Sequence, residues 1–169
     1  GVVATSMVPA TYATGVTPAN VVFTQTIDTA LSAGQKIVIT TTGTEIFADD
    51  GASSPVATTC AVNDGTNRAV TSSNVASSVL TIVMNAPVTA GSFTVTCSSN
   101  LAVNGADGTS ATKGTVKTTD SSDVEIDGDV GTYGGAAYTF TGVVATSMIP
   151  STYATGVAPA NVVFTQTID

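Results

Sequence analysis

Two sets of side chains in this sequence could do chemistry, and both are small. Cys60 and Cys97 are the only cysteines, and each falls on the apolar face of an alternating stretch, beside Val62 and Val95. The chain has no histidine, so zinc would lack further ligands and a thiolate nucleophile would lack a base. The pair therefore reads as a structural disulfide, with two buried free thiols, ordinary small hydrophobes, as the alternative. A bridge would imply an oxidising, extracellular setting. The second set is Asp120, Asp123, Glu125, Asp127 and Asp129, with no base among them. Closely spaced carboxylates are the hard oxygen donors that Ca²⁺ takes, although the spacing misses the EF-hand loop. A solvated acidic loop that keeps the protein soluble is the competing account. The Asp49 and Asp50 pair is a weaker second candidate, and no cofactor other than Ca²⁺ is expected.

Catalysis finds little else to use. Without histidine or a nucleophile elbow no hydrolase triad can be assembled, and no Gly-rich phosphate loop occurs. A carboxylate-pair glycosidase would need a sugar platform, for which a chain without Trp is poorly equipped. The expectation is a protein that is not an enzyme. Twelve acids against four bases give a net charge of −8, which disfavours nucleic acid and anionic membranes as partners. No apolar run approaches the ~20 residues of a membrane span, and the Gly1 start has no basic n-region, so any targeting or anchoring segment is expected elsewhere in a longer parent chain.

The elements that must position these residues are organised by a repeat. Residues 1–28 and 142–169 are identical at 25 of 28 positions and differ only at Val8/Ile149, Ala10/Ser151 and Thr17/Ala158. The offset of 141 residues is domain-sized, whereas solenoid repeats run ~20–50 residues. Residues 1–141 are therefore read as one module and residues 142–169 as the opening strands of the next. That opening lacks the strands that would bury Val162, Val163 and Phe164, so the strand from Val162 to Thr167 is expected to fray or to pair with the sheet of a neighbouring copy, as in donor-strand assembly.

Only 9% of residues are charged while 43% are hydrophobic, so the chain should fold, and its 32 Thr favour pleated, half-exposed surfaces. Residues 2–7 and 21–26 read as strands joined by a Pro/Gly-punctuated link, with one of them an edge strand reached by a crossover. Leu31 should plug the end of the core, residues 35–42 (QKIVITTT) should form an inner strand with Ile37 and Ile39 inward, and Ile46 and Phe47 should tuck under a loop. Residues 57–62 (ATTCAV) read as one strand, turned by Asn63-Asp64-Gly65 into residues 68–71. Residues 79–84 (VLTIVM) read as a central strand covered on both faces or meeting a neighbouring module. Residues 92–97 place Phe93, Val95 and Cys97 inward, residues 112–119 suit a lysine-guarded edge, and residues 137–141 form a last strand. Thr-x-Thr triplets at 24–26, 40–42, 94–96 and 165–167 could order water if stacked in regular rungs, but read as ordinary β-surface threonine at irregular spacing. Short strands with turns every ~8–12 residues and no helical period indicate an all-β, immunoglobulin-like Greek-key β-sandwich, one module of a tandem array, with a β-solenoid as the runner-up.

Residues 29–40 (TALSAGQKIVIT), followed by residues 90–102 (AGSFTVTCSSNLA), resemble repeated β-sandwich modules of very long cell-surface and secreted proteins of microalgae and bacteria. The likeness is one of texture and turn placement across most of the 141-residue unit. It implies spacer, fibre-forming or adhesive-stalk roles, with Ca²⁺ at module junctions in bacterial relatives. The function expected from the whole sequence is a structural module of an extracellular tandem-repeat protein, with a Ca-dependent glycan-binding adhesin domain as the alternative and neighbouring copies of the module as partners.

Overall fold

Period-two alternation dominates the chain, and it produces a structure made of strands. In a computed structural model the described residues are 1–42, 46–48, 53–105, 113–134, 143–150 and 162–168. They fall into two compact units, Gly1–Thr139 and Phe140–Asp169.

The first unit is an immunoglobulin-like sandwich of two six-stranded sheets. Its strands are β1 (Val2–Pro9), β2 (Val21–Ile27), β3 (Lys36–Thr42), β4 (Val56–Ala57), β5 (Cys60–Asn63), β6 (Asn67–Arg68), β7 (Val70–Ala76), β8 (Val79–Met84), β9 (Gly91–Cys97), β10 (Lys113–Thr119), β11 (Glu125–Asp127) and β12 (Asp129–Val130). One sheet runs β12-β1-β2-β9-β5-β6 and the other β11-β10-β3-β8-β7-β4. Strands distant in sequence become neighbours, as when β9 inserts between β2 and β5, and such crossovers separate a Greek-key sandwich from a simple meander.

Alternation decides what each strand buries. In β9, Phe93, Val95 and Cys97 point into the core, as their spacing predicts, and in β2 Val21, Phe23, Gln25 and Ile27 do. Ile37 and Ile39 of β3 face Leu80, Ile82 and Met84 of β8 within the second sheet's buried side. Each such side chain contributes about 1.5–3 kcal/mol of burial. Leu31 closes one end of the core through a bridge to Val88, and Ile46 and Phe47 are buried as expected, Phe47 bridging Leu101.

The structure departs from the sequence reading at five places. First, β1 and β2 pair directly with each other, antiparallel and with a bulge between Ala4 and Ser6, so no crossover separates them; the outer edge of β1 is covered by β12. Second, residues 57–62 are not one strand. β4 belongs to the second sheet and β5 to the first, and the chain changes sheets at Thr58 and Thr59, whose N–H and carbonyl bond Ser73 and Ser98 respectively. Third, β7 is a full strand paired with β8 through a two-residue turn, with Ser77 (φ 48°) and Ser78 (φ 62°) both left-handed, the geometry of a type I′ hairpin. Fourth, β8 buries only one face, which overturns the first of its two readings, a strand covered on both faces: Leu80, Ile82 and Met84 are inside, whereas Val79, Thr81 and Val83 are half-exposed. Fifth, β10 is not a free edge along its whole length, because β11 pairs with its Thr118 and Thr119. The strand read at residues 137–141 and the Asp49 and Asp50 pair lie outside the described residues.

The second unit is described by itself. Its strands β13 (Val143–Pro150) and β14 (Val162–Ile168) form a two-stranded antiparallel sheet.

Candidate functional site

The acidic segment is built into the first unit as a closing strap. Asp120 begins it: its carboxylate accepts the N–H groups of Ser122 (2.8 Å) and Val124 (2.9 Å), a local turn that lets Asp123 sit at φ 67°. Asp123 is exposed and pairs with Lys36 Nζ of β3 at 2.7 Å. Asp127 turns inward and is nearly buried. Its two carboxylate oxygens accept the backbone N–H (2.8 Å) and hydroxyl (3.0 Å) of Thr29, while its own N–H donates to the Thr118 hydroxyl at 3.1 Å. Glu125 and Asp129 are exposed, the latter at the register position opposite Val2. Of the five acids predicted as a Ca²⁺ set, Asp120, Asp123 and Asp127 thus have three different partners and Glu125 and Asp129 face outward, and among the described residues no group of three or more such side chains comes together.

The Lys36–Asp123 pair borders a groove of about 390 Å³ on the outer side of the second sheet, otherwise lined by Pro55, Asn74, Ala76, Val79 and Thr81. Its lining is methyl, hydroxyl and amide groups, and its one carboxylate is already engaged by its one ammonium.

Cys60 and Cys97 stand directly opposite one another on β5 and β9 and form the disulfide, tying two neighbouring strands of the first sheet. The sequence reading missed a second tie beside it. Asp64, read only as a turn residue, has a side chain that is 1% exposed and accepts from Arg68 Nε (2.7 Å) and from the N–H and hydroxyl of Thr89 (both 2.8 Å). The Arg68 guanidinium foremost, helped by the Thr89 donors and opposed by burial, holds its carboxyl well below the usual carboxylate range. A depressed folded pKa contributes stability that is fully present above the unfolded value near 4 and is lost as pH falls below it. Asp64→Asn is therefore expected to destabilise the protein by about 1–2 kcal/mol at neutral pH, the scale of losing charge-assisted hydrogen bonds at a partly solvated site, and to flatten the acid limb of its stability curve below pH ~4. Parallel acid melts of wild type and variant check this, and curves that stay parallel through that range would contradict it.

Tyr133 was also missed. It is fully buried, donates its hydroxyl to Gln25 Oε1 at 2.7 Å, and meets the Phe23 ring edge-on at 5.4 Å. No periodic pattern surrounds it, and an isolated Tyr among Gly and Thr carries no signal of its own.

The repeated segment folds the same way twice. β1 pairs β2 as β13 pairs β14, from Val2 opposite Ile27 and Val143 opposite Ile168 to Pro9 opposite Val21 and Pro150 opposite Val162, with the bulge falling between Ala4 and Ser6 in one copy and Ala145 and Ser147 in the other. In the first unit that hairpin is completed by β9 along β2 and by β12 along β1. Among the described residues β14 pairs with β13 alone, and Val163 is 54% exposed. The Thr-x-Thr triplets are less scattered than their spacing indicated: β2 and β9 are adjacent, with Thr24 opposite Thr94 on the outer face.

No protein-family model matches the chain, and no curated protein sequence matches it. Among solved structures it is similar to BcpA, the major pilin subunit of Bacillus cereus, with TM-score 0.44 and 14% identity, and to a variant of that subunit with TM-score 0.46 and 12% identity. Each match covers 89% of this chain and 42% of the pilin chain, so the chain spans less than half the pilin's length.

Proposed function

We propose that this chain is a structural module of an extracellular tandem-repeat protein that builds a fibre, surface layer or adhesive stalk, and that it is not an enzyme. The observation that carries the reading is the second hairpin: a segment 141 residues downstream that repeats the module's opening in sequence, pairing register and bulge. A chain holding one sandwich and the first hairpin of another is what one repeat of an array looks like when read from its start. The disulfide supports an oxidising location, and no helix among the described residues is long and apolar enough to cross a membrane.

The partner in this reading is another copy. β2 exposes to β9 the same backbone edge that β14 repeats, so any sheet that accepts Val21–Ile27 has the complement for Val162–Ile168. Light scattering on residues 1–169 against residues 1–141 tests this. The longer chain is expected to associate and the shorter to remain monomeric, whereas monomers from both would leave simple beads without strand exchange. Association that requires millimolar Ca²⁺ would instead favour the calcium-dependent glycan-binding adhesin.

A further inference from the structure

The first strand of the module and the last segment of it among the described residues run side by side in the same direction. β1 advances from Val2 to Met7 as residues 128–134 advance beside it: Val2 opposite Asp129, Val3 opposite Val130, and Ser6 bridged to Gly134 in parallel. Backbone hydrogen bonds tie both ends of this overlap, from Val2 N–H to the Gly128 carbonyl (2.7 Å), from Gly134 N–H to Thr5 (3.3 Å) and from Met7 N–H to Gly134 (2.9 Å). Tyr133, whose N–H bonds the Gly114 carbonyl of β10 and whose ring is fully buried, pins the strap to both sheets.

We infer that this overlap is a mechanical clamp, which makes the module a load-bearing element; the inference rests on the proposal that modules are strung end to end. Tension in such an array pulls β1 toward its N-terminal end and the strap toward its C-terminal end. Because the two are parallel, those forces are opposed along one axis, and the hydrogen bonds between them are loaded together in shear. An antiparallel pair with both load points at one end would be unzipped one bond at a time, each contributing only about 1 kcal/mol. The disulfide adds a second property. It closes residues 60–97, so when the clamp fails the loop of sequence separation 37 stays closed and the module lengthens less under load.

Single-molecule pulling on the whole chain tests both parts. With handles at Gly1 and Asp169 the module is expected to unfold in one high-force event, and reduction of the disulfide should lengthen that event by about 120–130 Å, at ~3.3–3.6 Å per released residue. The comparison is a second geometry on the same fold. Ala10 is exposed and lies at the end of β1 nearest Gly134, so a handle on Ala10→Cys paired with one at Asp169 unzips the strap from that end. The unfolding force is expected to fall roughly twofold or more, since bonds that ruptured together now break in turn. Forced unfolding reads the barrier rather than the equilibrium, so matched melting of the two labelled proteins confirms that only geometry differs. Equal forces in the two geometries would overturn the clamp and leave the array reading standing. A geometry-dependent force from a chain that proves monomeric would support the clamp while removing strand exchange.

Discussion

Opening the Cys60–Cys97 bridge is expected to lower the stability of the module by about 4 kcal/mol, the chain-entropy value for a loop of this size. The effect arises in the unfolded state. Residues 60–97 form a closed loop while the bridge is intact, and the freed chain gains the conformations that closure had removed. The native sheet loses little, because Cys60 and Cys97 remain opposite one another on paired strands, with Cys97 fully buried and Val62 and Val95 packed in the same core. Denaturant titration with and without reductant checks it: the midpoint should move to lower denaturant by the equivalent of that energy. Cys60→Ser/Cys97→Ser should reproduce the shift without reductant. A midpoint indifferent to both would mean that the bridge does not constrain the unfolded chain, and thiols that titrate in the native protein would mean that it does not form.

Tyr133→Ala is expected to cost about 3–5 kcal/mol, the range for deleting a buried aromatic ring. The ring fills space against Phe23, and its hydroxyl is the partner of Gln25 Oε1, while Gln25 Nε2 is buried without one. Tyr133→Phe separates these contributions. It keeps the ring and leaves the buried Gln25 oxygen unpaired, at about 1–3 kcal/mol. Adding Gln25→Leu to Tyr133→Phe removes both polar ends, and the pair should recover much of that loss, which a double-mutant cycle reads directly. Burial also pushes the Tyr133 phenol well above its ordinary range. A raised folded pKa means that stability is complete below the unfolded value near 10 and declines as pH rises past it, because the unfolded chain releases its proton first. Wild type should therefore lose stability above pH ~10 more steeply than Tyr133→Phe. Equal alkaline slopes would show that the phenol is not held in the core.

The residues that show how much can be read from sequence are those of β3 and β9. Their alternation marked Ile37, Ile39, Phe93, Val95 and Cys97 as inward, and these are buried. Leu31, Ile46 and Phe47 were legible for a related reason, being isolated apolar residues among turn-forming neighbours that have nowhere else to go. Alternation says which face of a strand is inside. It is silent on which sheet the strand joins, and this is why residues 57–62 looked continuous although Thr58 and Thr59 carry the chain from one sheet to the other. β7 escaped because Ser72, Ser73 and Asn74 dilute its apolar signal, and because its turn is made by two left-handed serines where Gly or Asn would announce one.

The acidic strap shows the same limit at the candidate site. The sequence places Asp120, Asp123, Glu125, Asp127 and Asp129 within ten residues but does not show which way each turns: Asp127 is turned inward by Thr29, 98 residues away, and Asp123 outward by Lys36, 87 residues away. The sequence by itself determined an all-β chain, the inward faces of its main strands, the two cysteines of the bridge, and a repeat that starts again after 141 residues, because all of these are written in local periodicity, residue type or identity. The tertiary structure alone decided the strand order, the half-buried Asp64 with its Arg68 and Thr89 partners, the buried Tyr133, the different partners of Asp123 and Asp127, and the parallel alignment of β1 with residues 128–134. Each of those depends on which distant segment supplies the matching backbone edge or polar group, and local pattern does not encode that choice.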